Sequence, residues 1–258
     1  MRHSVWSSYQ RILEDYAEGD KKQQDKHYKL FFVYRHLCFP LAAIFLRFGV
    51  SANTVTFMGF VLFIISYGTL VSGTDNAIFL GSCYYFLAFI FDFVDGTIAR
   101  FHDMPNYFGK LIDGLVDYFQ HSFYLFIGIG LYFENNSYLL DFNWILLGAA
   151  ATGFVHLILY FRMRVAYFEK EIELIEGIRT NSAAAGNQTD DRQLLSKLNW
   201  VVANIIVAWA PLFVAFSFFG VADIFLVFAC IFYFLLVCFE IPLRLFRLRR
   251  FSQLTRKL

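Results

Sequence analysis

The chain has 258 residues, of which 58% are hydrophobic, 21% aromatic and only 17% charged, and its formal net charge is +1 at pH 7. Soluble globular chains average roughly 45–50% apolar and about 25% charged residues, so this composition excludes a disordered chain and argues against an ordinary water-soluble domain. The near-zero net charge leaves no electrostatic footprint for nucleic acid, and the 34 phenylalanines point instead to lipid-facing surface.

Residues 1–29 read as a polar cytoplasmic arm, with Lys21, Lys22, Lys26 and Lys29 near its end and no apolar run of the kind a secretory signal needs. Residues 30–50 are apolar but carry Arg35, His36, Pro40 and Arg47. Arginine at the bilayer centre costs at least ~2.5 kcal/mol on insertion scales. A helix lying in the interface keeps both arginines in water and buries Phe and Leu on its other side, so an amphipathic interfacial helix is predicted here.

A spanning helix needs about 20 mostly apolar residues. Six such runs lie near 54–72, 77–100, 107–133, 142–163, 199–219 and 222–244. The fold predicted for residues 51–246 is therefore an all-α membrane bundle of six transmembrane helices. With six spans, the loops around 72–76, 134–142 and 220–223 fall on the far side, and none contains Lys or Arg. The positive-inside rule then places both termini, the long loop of about 169–197 and the basic tail 247–258 in the cytoplasm. The loop's stretch 182–187, Ser-Ala-Ala-Ala-Gly-Asn, is expected to be mobile. Cys38, Cys83, Cys230 and Cys238 lack metal-ligand spacing and are expected to be buried thiols.

Ionisable groups inside apolar runs are costly and mark functional sites. The second run ends Asp92-Phe93-Val94-Asp95-Gly96-Thr97-Ile98-Ala99-Arg100, and the third begins Gly109-Lys110-Leu111-Ile112-Asp113-Gly114-Leu115-Val116-Asp117. Asp92 and Asp95 share a helix face at i, i+3, and Asp113 and Asp117 share one at i, i+4. A short polar connection makes the two helices antiparallel neighbours, so the pairs can face each other. Four carboxylates brought together need cations to remain ionised. Mg²⁺ or Mn²⁺ suits oxygen ligands, whereas the absence of His and Cys from the set argues against zinc. Two such ions about 3.5–4 Å apart would form a clamp for phosphoryl chemistry. Gly96 and Gly109 leave room for a ligand or another helix, and Arg100 can meet a phosphate at the membrane surface. Asp92 lies eight residues, ~12 Å, inside Arg100, which puts the carboxylates just below the cytoplasmic interface.

Asp92-x-x-Asp95-Gly96-x-x-Ala99-Arg100, eight residues, Gly109-x-x-x-Asp113-x-x-x-Asp117 resembles the signature of the CDP-alcohol phosphotransferases at all eight defining positions. A weaker resemblance extends to Ser51-Ala52-Asn53-Thr54-Val55-Thr56, where the family usually has Pro-Asn-x-x-Thr and this chain has Ala52 in place of Pro. The resemblance implies that Asp92, Asp95 and Asp113 bind a pair of metal ions with Asp117 close to it, and that Asp117 is the catalytic base. It also implies that Asp92, Asp95, Gly96, Ala99, Arg100 and Gly109 form the CDP pocket and that the enzyme is a homodimer. The expected activity belongs to phospholipid biosynthesis: a phosphatidyl group passes from CDP-diacylglycerol to the hydroxyl of a polar alcohol of the glycerol phosphate or inositol phosphate type, with release of CMP. The expected location is the plasma membrane of a bacterium.

Lys110, His121, Arg162 and Arg164 are candidates for holding a phosphorylated acceptor, although arginines at a cytoplasmic helix end are commonly topology anchors. His156, Asn204 and Glu240 read as packing groups. Three other readings compete. A soluble CDP-alcohol could give its phospho-headgroup to a lipid hydroxyl. A membrane prenyltransferase also uses Asp-rich helices, but with other spacing and with pyrophosphate release. A cation transporter would usually show an internal repeat, and none is evident.

Overall fold

In a computed structural model of the protein, residues 4–18, Lys22, Asp25, 29–102, 107–134, 143–176 and 189–255 are described. Nine helices stand out among them: α1 (Val5–Glu18), α2 (Lys29–Phe48), α3 (Ala52–Leu70), α4 (Ala77–Phe101), α5 (Tyr107–Gln120), α6 (Phe123–Glu134), α7 (Trp144–Glu176), α8 (Thr189–Phe218) and α9 (Ala222–Thr255). No strand occurs among the described residues. Helices α2, α3, α4, α7 and α9 contain stretches long and apolar enough to cross a membrane, and Ile205–Phe218 of α8 is a shorter apolar segment. The interfacial candidate is thus one of the five by length and composition. The 182–187 stretch lies outside the described residues, and helix occupies both ends of the expected 169–197 loop.

Side-chain pairings fix the relative directions of the helices. Helices α3 and α4 form an antiparallel hairpin, with Thr56 beside Asp95, Gly59 against Phe91, Phe63 against Tyr85 at 5.4 Å, and Ser66 Oγ donating to Gly81 O at 2.7 Å. Helix α8 is antiparallel to α4 (Phe79 with Phe218, Tyr85 with Phe213) and to α9 (Phe225 with Phe216, Trp209 with Phe232). Helix α7 runs parallel to α9, with Phe154 on Phe234 and Arg162 on Glu240. Successive long elements therefore alternate in direction. The ends of α4, α7 and α9 and the beginnings of α3, α5 and α8 gather at one end of the bundle.

The third apolar run is not one helix, as the sequence led us to expect. It breaks at His121-Ser122 into α5 and α6. A break inside an apolar region needs replacement hydrogen-bond partners, and other helices supply them. The Tyr67 hydroxyl lies 2.9 Å from both Phe119 O and Gln120 O. His156 Nε2 lies 3.1 Å from Tyr118 O, and Leu125 N donates to Thr152 Oγ1 at 3.0 Å. Below the break, α6 and α7 approach until a Cβ on Gly148 would lie 2.5 Å from Tyr124 O, a separation no real Cβ adopts.

Helix α2 crosses α4 rather than running beside it. Phe31, Tyr34, Cys38 and Phe45, spread over 15 residues, all meet α4 between Phe89 and Phe93. Helix α1 packs on this end too: Ile12 is buried and the Arg11 guanidinium sits 4.5 Å over the Phe101 ring. Tyr16 donates to Asp25 at 3.0 Å, and Asp25 pairs with buried Arg35 at 2.8 Å. Burial and the Asp25 contact push the Tyr16 hydroxyl up to about 12, so it remains protonated and donating. The polar arm of the sequence reading therefore contains an amphipathic helix. Among the thiols, Cys38 and Cys230 are buried as expected, whereas Cys83 is only half-buried and Cys238 is exposed, so the expectation of four buried thiols holds for two of them.

Candidate active site

The site is built at the end of the bundle where α3 begins, α4 ends and α5 begins. One carboxylate oxygen from each of Asp92, Asp95 and Asp113 lies within 4.8 Å of the others. Asp92 and Asp95 come from the last turns of α4, and Asp113 from the second turn of α5. Asp95 is buried and Asp92 and Asp113 are half-buried. Asp117 stands one turn beyond Asp113, exposed, and outside this group of three.

Asp95 is held by Thr56, a residue not singled out individually in the sequence. Thr56 Oγ1 donates to Asp95 Oδ2 at 2.6 Å. Its position follows from the start of α3, where Ser51 caps the helix by accepting from Thr54 N at 3.2 Å. Ala52 is the first helical residue. Proline is favoured there because its missing N–H is not needed, so Ala52 keeps the same helix start without it.

A hydroxyl relay orders the basic group. Arg100 Nη2 donates to Thr97 Oγ1 at 3.3 Å, and Thr97 in turn donates to Phe93 O at 2.8 Å. Gly96 sits under this arginine, and a Cβ there would lie 3.3 Å from Arg100 Nη1. An added methyl there would require the guanidinium tip to shift by a few tenths of an ångström. Ala99 and Arg100 are exposed and Gly109 is half-buried.

The acceptor candidates each have contacts of their own. Lys110 is exposed on α5. His121 turns its Nδ1 to Asp117 O at 2.6 Å and caps the broken end of α5. Arg164 stacks over Phe168 at 4.8 Å on its own helix. Arg162 reaches across to α9, where its Nε and Nη2 donate to the two oxygens of Glu240 at 2.6 and 2.8 Å. Arg244 Nε also donates to Glu240 at 2.7 Å, and the Glu240 side chain is only 1% exposed. Glu240 is thus half of an ion-pair clamp between α7 and α9. Removing one member of a buried pair leaves its partners uncompensated. Glu240→Ala is expected to destabilise the protein by about 3 kcal/mol, read as a lowered Tm in detergent. An unchanged Tm would contradict the clamp. His156, by contrast, is a packing group that bridges Thr152 O and Tyr118 O; the side chain of Asn204 lies outside the described residues.

The three gathered carboxylates are hard oxygen donors without His or Cys among them, a set suited to a divalent cation such as Mg²⁺. An uncharacterized protein of Aquifex aeolicus (strain VF5) is 30% identical to this chain over 102 residues, 40% of this chain and 50% of the relative's own length. The model of the CDP-alcohol phosphatidyltransferase family matches residues 49–238, which take in the three-carboxylate cluster, Asp117, Thr56 and Arg100. This chain, whose carboxylates converge from the two halves of that family's motif, belongs to the CDP-alcohol phosphatidyltransferases.

Proposed function

We propose that the protein transfers the phosphatidyl group of CDP-diacylglycerol to the hydroxyl of a polar alcohol, of the glycerol phosphate or inositol phosphate type, and releases CMP. The convergence of Asp92, Asp95 and Asp113 carries this reading. They would hold Mg²⁺ or Mn²⁺, as two ions, with Asp117 beside them. When bound, these cations neutralise the diphosphate and stabilise the leaving CMP. Arg100, ordered by Thr97, meets the diphosphate, and Gly96, Ala99 and Gly109 leave space for the nucleotide. Asp117 takes the proton from the acceptor hydroxyl. The acceptor oxygen bonds to the phosphorus carrying diacylglycerol, the bond from that phosphorus to the bridging oxygen breaks, and its electron pair leaves with CMP. No covalent enzyme intermediate is required.

The alternating helix directions support six crossings, with α5 and α6 together making the third. The steep crossing of α2 over Phe89–Phe93 supports its lying in the interface rather than spanning. The basic ends support cytoplasmic termini and a site facing the cytoplasmic side of the membrane. Arg162 uses two of its five N–H groups on Glu240, so it can still add to an acceptor pocket with Lys110, His121 and Arg164. By family resemblance the enzyme is a homodimer.

Purified protein in nanodiscs, given CDP-diacylglycerol, Mg²⁺ and a panel of alcohols, is expected to release CMP with a subset of them. If CMP appears only with a soluble CDP-alcohol and diacylglycerol, the direction of transfer is reversed. Pyrophosphate release without CMP would overturn the chemistry.

A further inference from the structure

The hydroxyl of Thr56 carries one proton and lies within reach of two acceptors, Asp95 Oδ2 at 2.6 Å and Ala52 O at 3.1 Å. The Asp95 contact is the shorter of the two by 0.5 Å and falls in the range of strong hydroxyl–carboxylate bonds, so Thr56 donates chiefly to Asp95. The Ala52 carbonyl, one turn back on the same helix, holds the Thr56 rotamer. Both Thr56 and Asp95 are buried, at 8% and 6% exposure, and away from water neither is easily re-partnered. The contact joins two helices whose register is already set by Gly59 against Phe91 and Ser66 against Gly81. Thr56 therefore cannot slide relative to Asp95.

We infer that Thr56 is the positioning residue of the cation site: it ties one Asp95 oxygen to α3 and so fixes the direction in which that carboxylate faces Asp92 and Asp113. The inference rests on the proposed role of Asp95 as a metal ligand. Hydrogen-bond partners of metal ligands typically change metal affinity 10- to 100-fold when removed. Asp113 reaches the cluster from α5, whereas Thr56 acts on the α4 side of the site, through Asp95.

The test uses Mn²⁺ alone, titrated onto the full-length protein in nanodiscs and followed by the electron paramagnetic resonance of the free ion. Thr56→Val keeps the shape and the branch but removes the hydroxyl, and should weaken Mn²⁺ binding about 10-fold or more. Thr56→Ser restores the donor and should bind within about 3-fold of the parent. In an Asp95→Asn background, Thr56→Val should change little, because the partner charge is already gone. Thr56→Ala reads the same outcome if the valine variant is not monodisperse. Mn²⁺ affinity unchanged in Thr56→Val and Thr56→Ala overturns the positioning role while leaving the metal reading intact. Failure of the parent protein to bind Mn²⁺ overturns both.

Discussion

Asp117→Asn is expected to slow CMP release by about 10²- to 10⁴-fold, the usual worth of a positioned general base, with little change in affinity for CDP-diacylglycerol. Geometry separates Asp117 from its neighbours. Asp92, Asp95 and Asp113 place oxygens within 4.8 Å of one another, whereas Asp117 lies a turn further along α5 and is exposed. It is the exposed member of the motif, which an incoming hydroxyl can approach while the others are engaged with one another. Asparagine keeps the size and a hydrogen-bonding oxygen but cannot accept the proton, so the loss should fall on kcat rather than KM. Single-turnover rates and equilibrium binding, measured side by side, separate the two. A variant with normal turnover would remove Asp117 as the base. A variant that no longer binds the nucleotide substrate would make it part of the pocket.

The spacing of the acidic residues made most of the carboxylate cluster legible, because i, i+3 and i, i+4 spacings in neighbouring apolar helices admit few arrangements. The long apolar runs were legible for the same kind of reason, since length and hydropathy are local properties. What escaped depends on partners far away in the chain. Nothing punctuates Phe119-Gln120-His121-Ser122-Phe123 as a break: no Gly or Pro is present, and the interruption is stabilised by Tyr67, Thr152 and His156 from other helices. Thr56 and Asp95 are 39 residues apart, and the weaker resemblance over 51–56 includes Thr56 without naming its partner. Arg162 and Glu240 lie 78 residues apart, and only a buried carboxylate late in one span and an arginine late in another hint that they pair. Helix α1 was accessible from sequence: Tyr9, Ile12, Leu13 and Tyr16 recur at helical spacing, and Ile12 is the one most deeply buried.

Asp95→Asn and Asp113→Asn are each expected to lower CMP release by ~10³-fold or more and to weaken Mn²⁺ binding in parallel. The cluster is assembled from two helices, α4 and α5, so each substitution takes an anionic oxygen from a different side of one site. Cation stabilisation of a phosphoryl transition state is worth several kcal/mol. At about 1.4 kcal/mol per tenfold change, a loss of ~4 kcal/mol corresponds to ~10³ in rate. Asparagine retains one neutral oxygen, so residual binding at high Mn²⁺ should recover some activity, and this distinguishes a lost ligand from a collapsed bundle. EDTA should abolish turnover of the parent protein, and added Mg²⁺ or Mn²⁺ should restore it. The two substitutions should not be additive in rate, because removing either one already dismantles the shared site. If Asp95→Asn and Asp113→Asn left turnover intact, or if the enzyme ran unchanged in chelator, the carboxylates would be packing groups between helices. The family's chemistry would then have to reside elsewhere in the bundle.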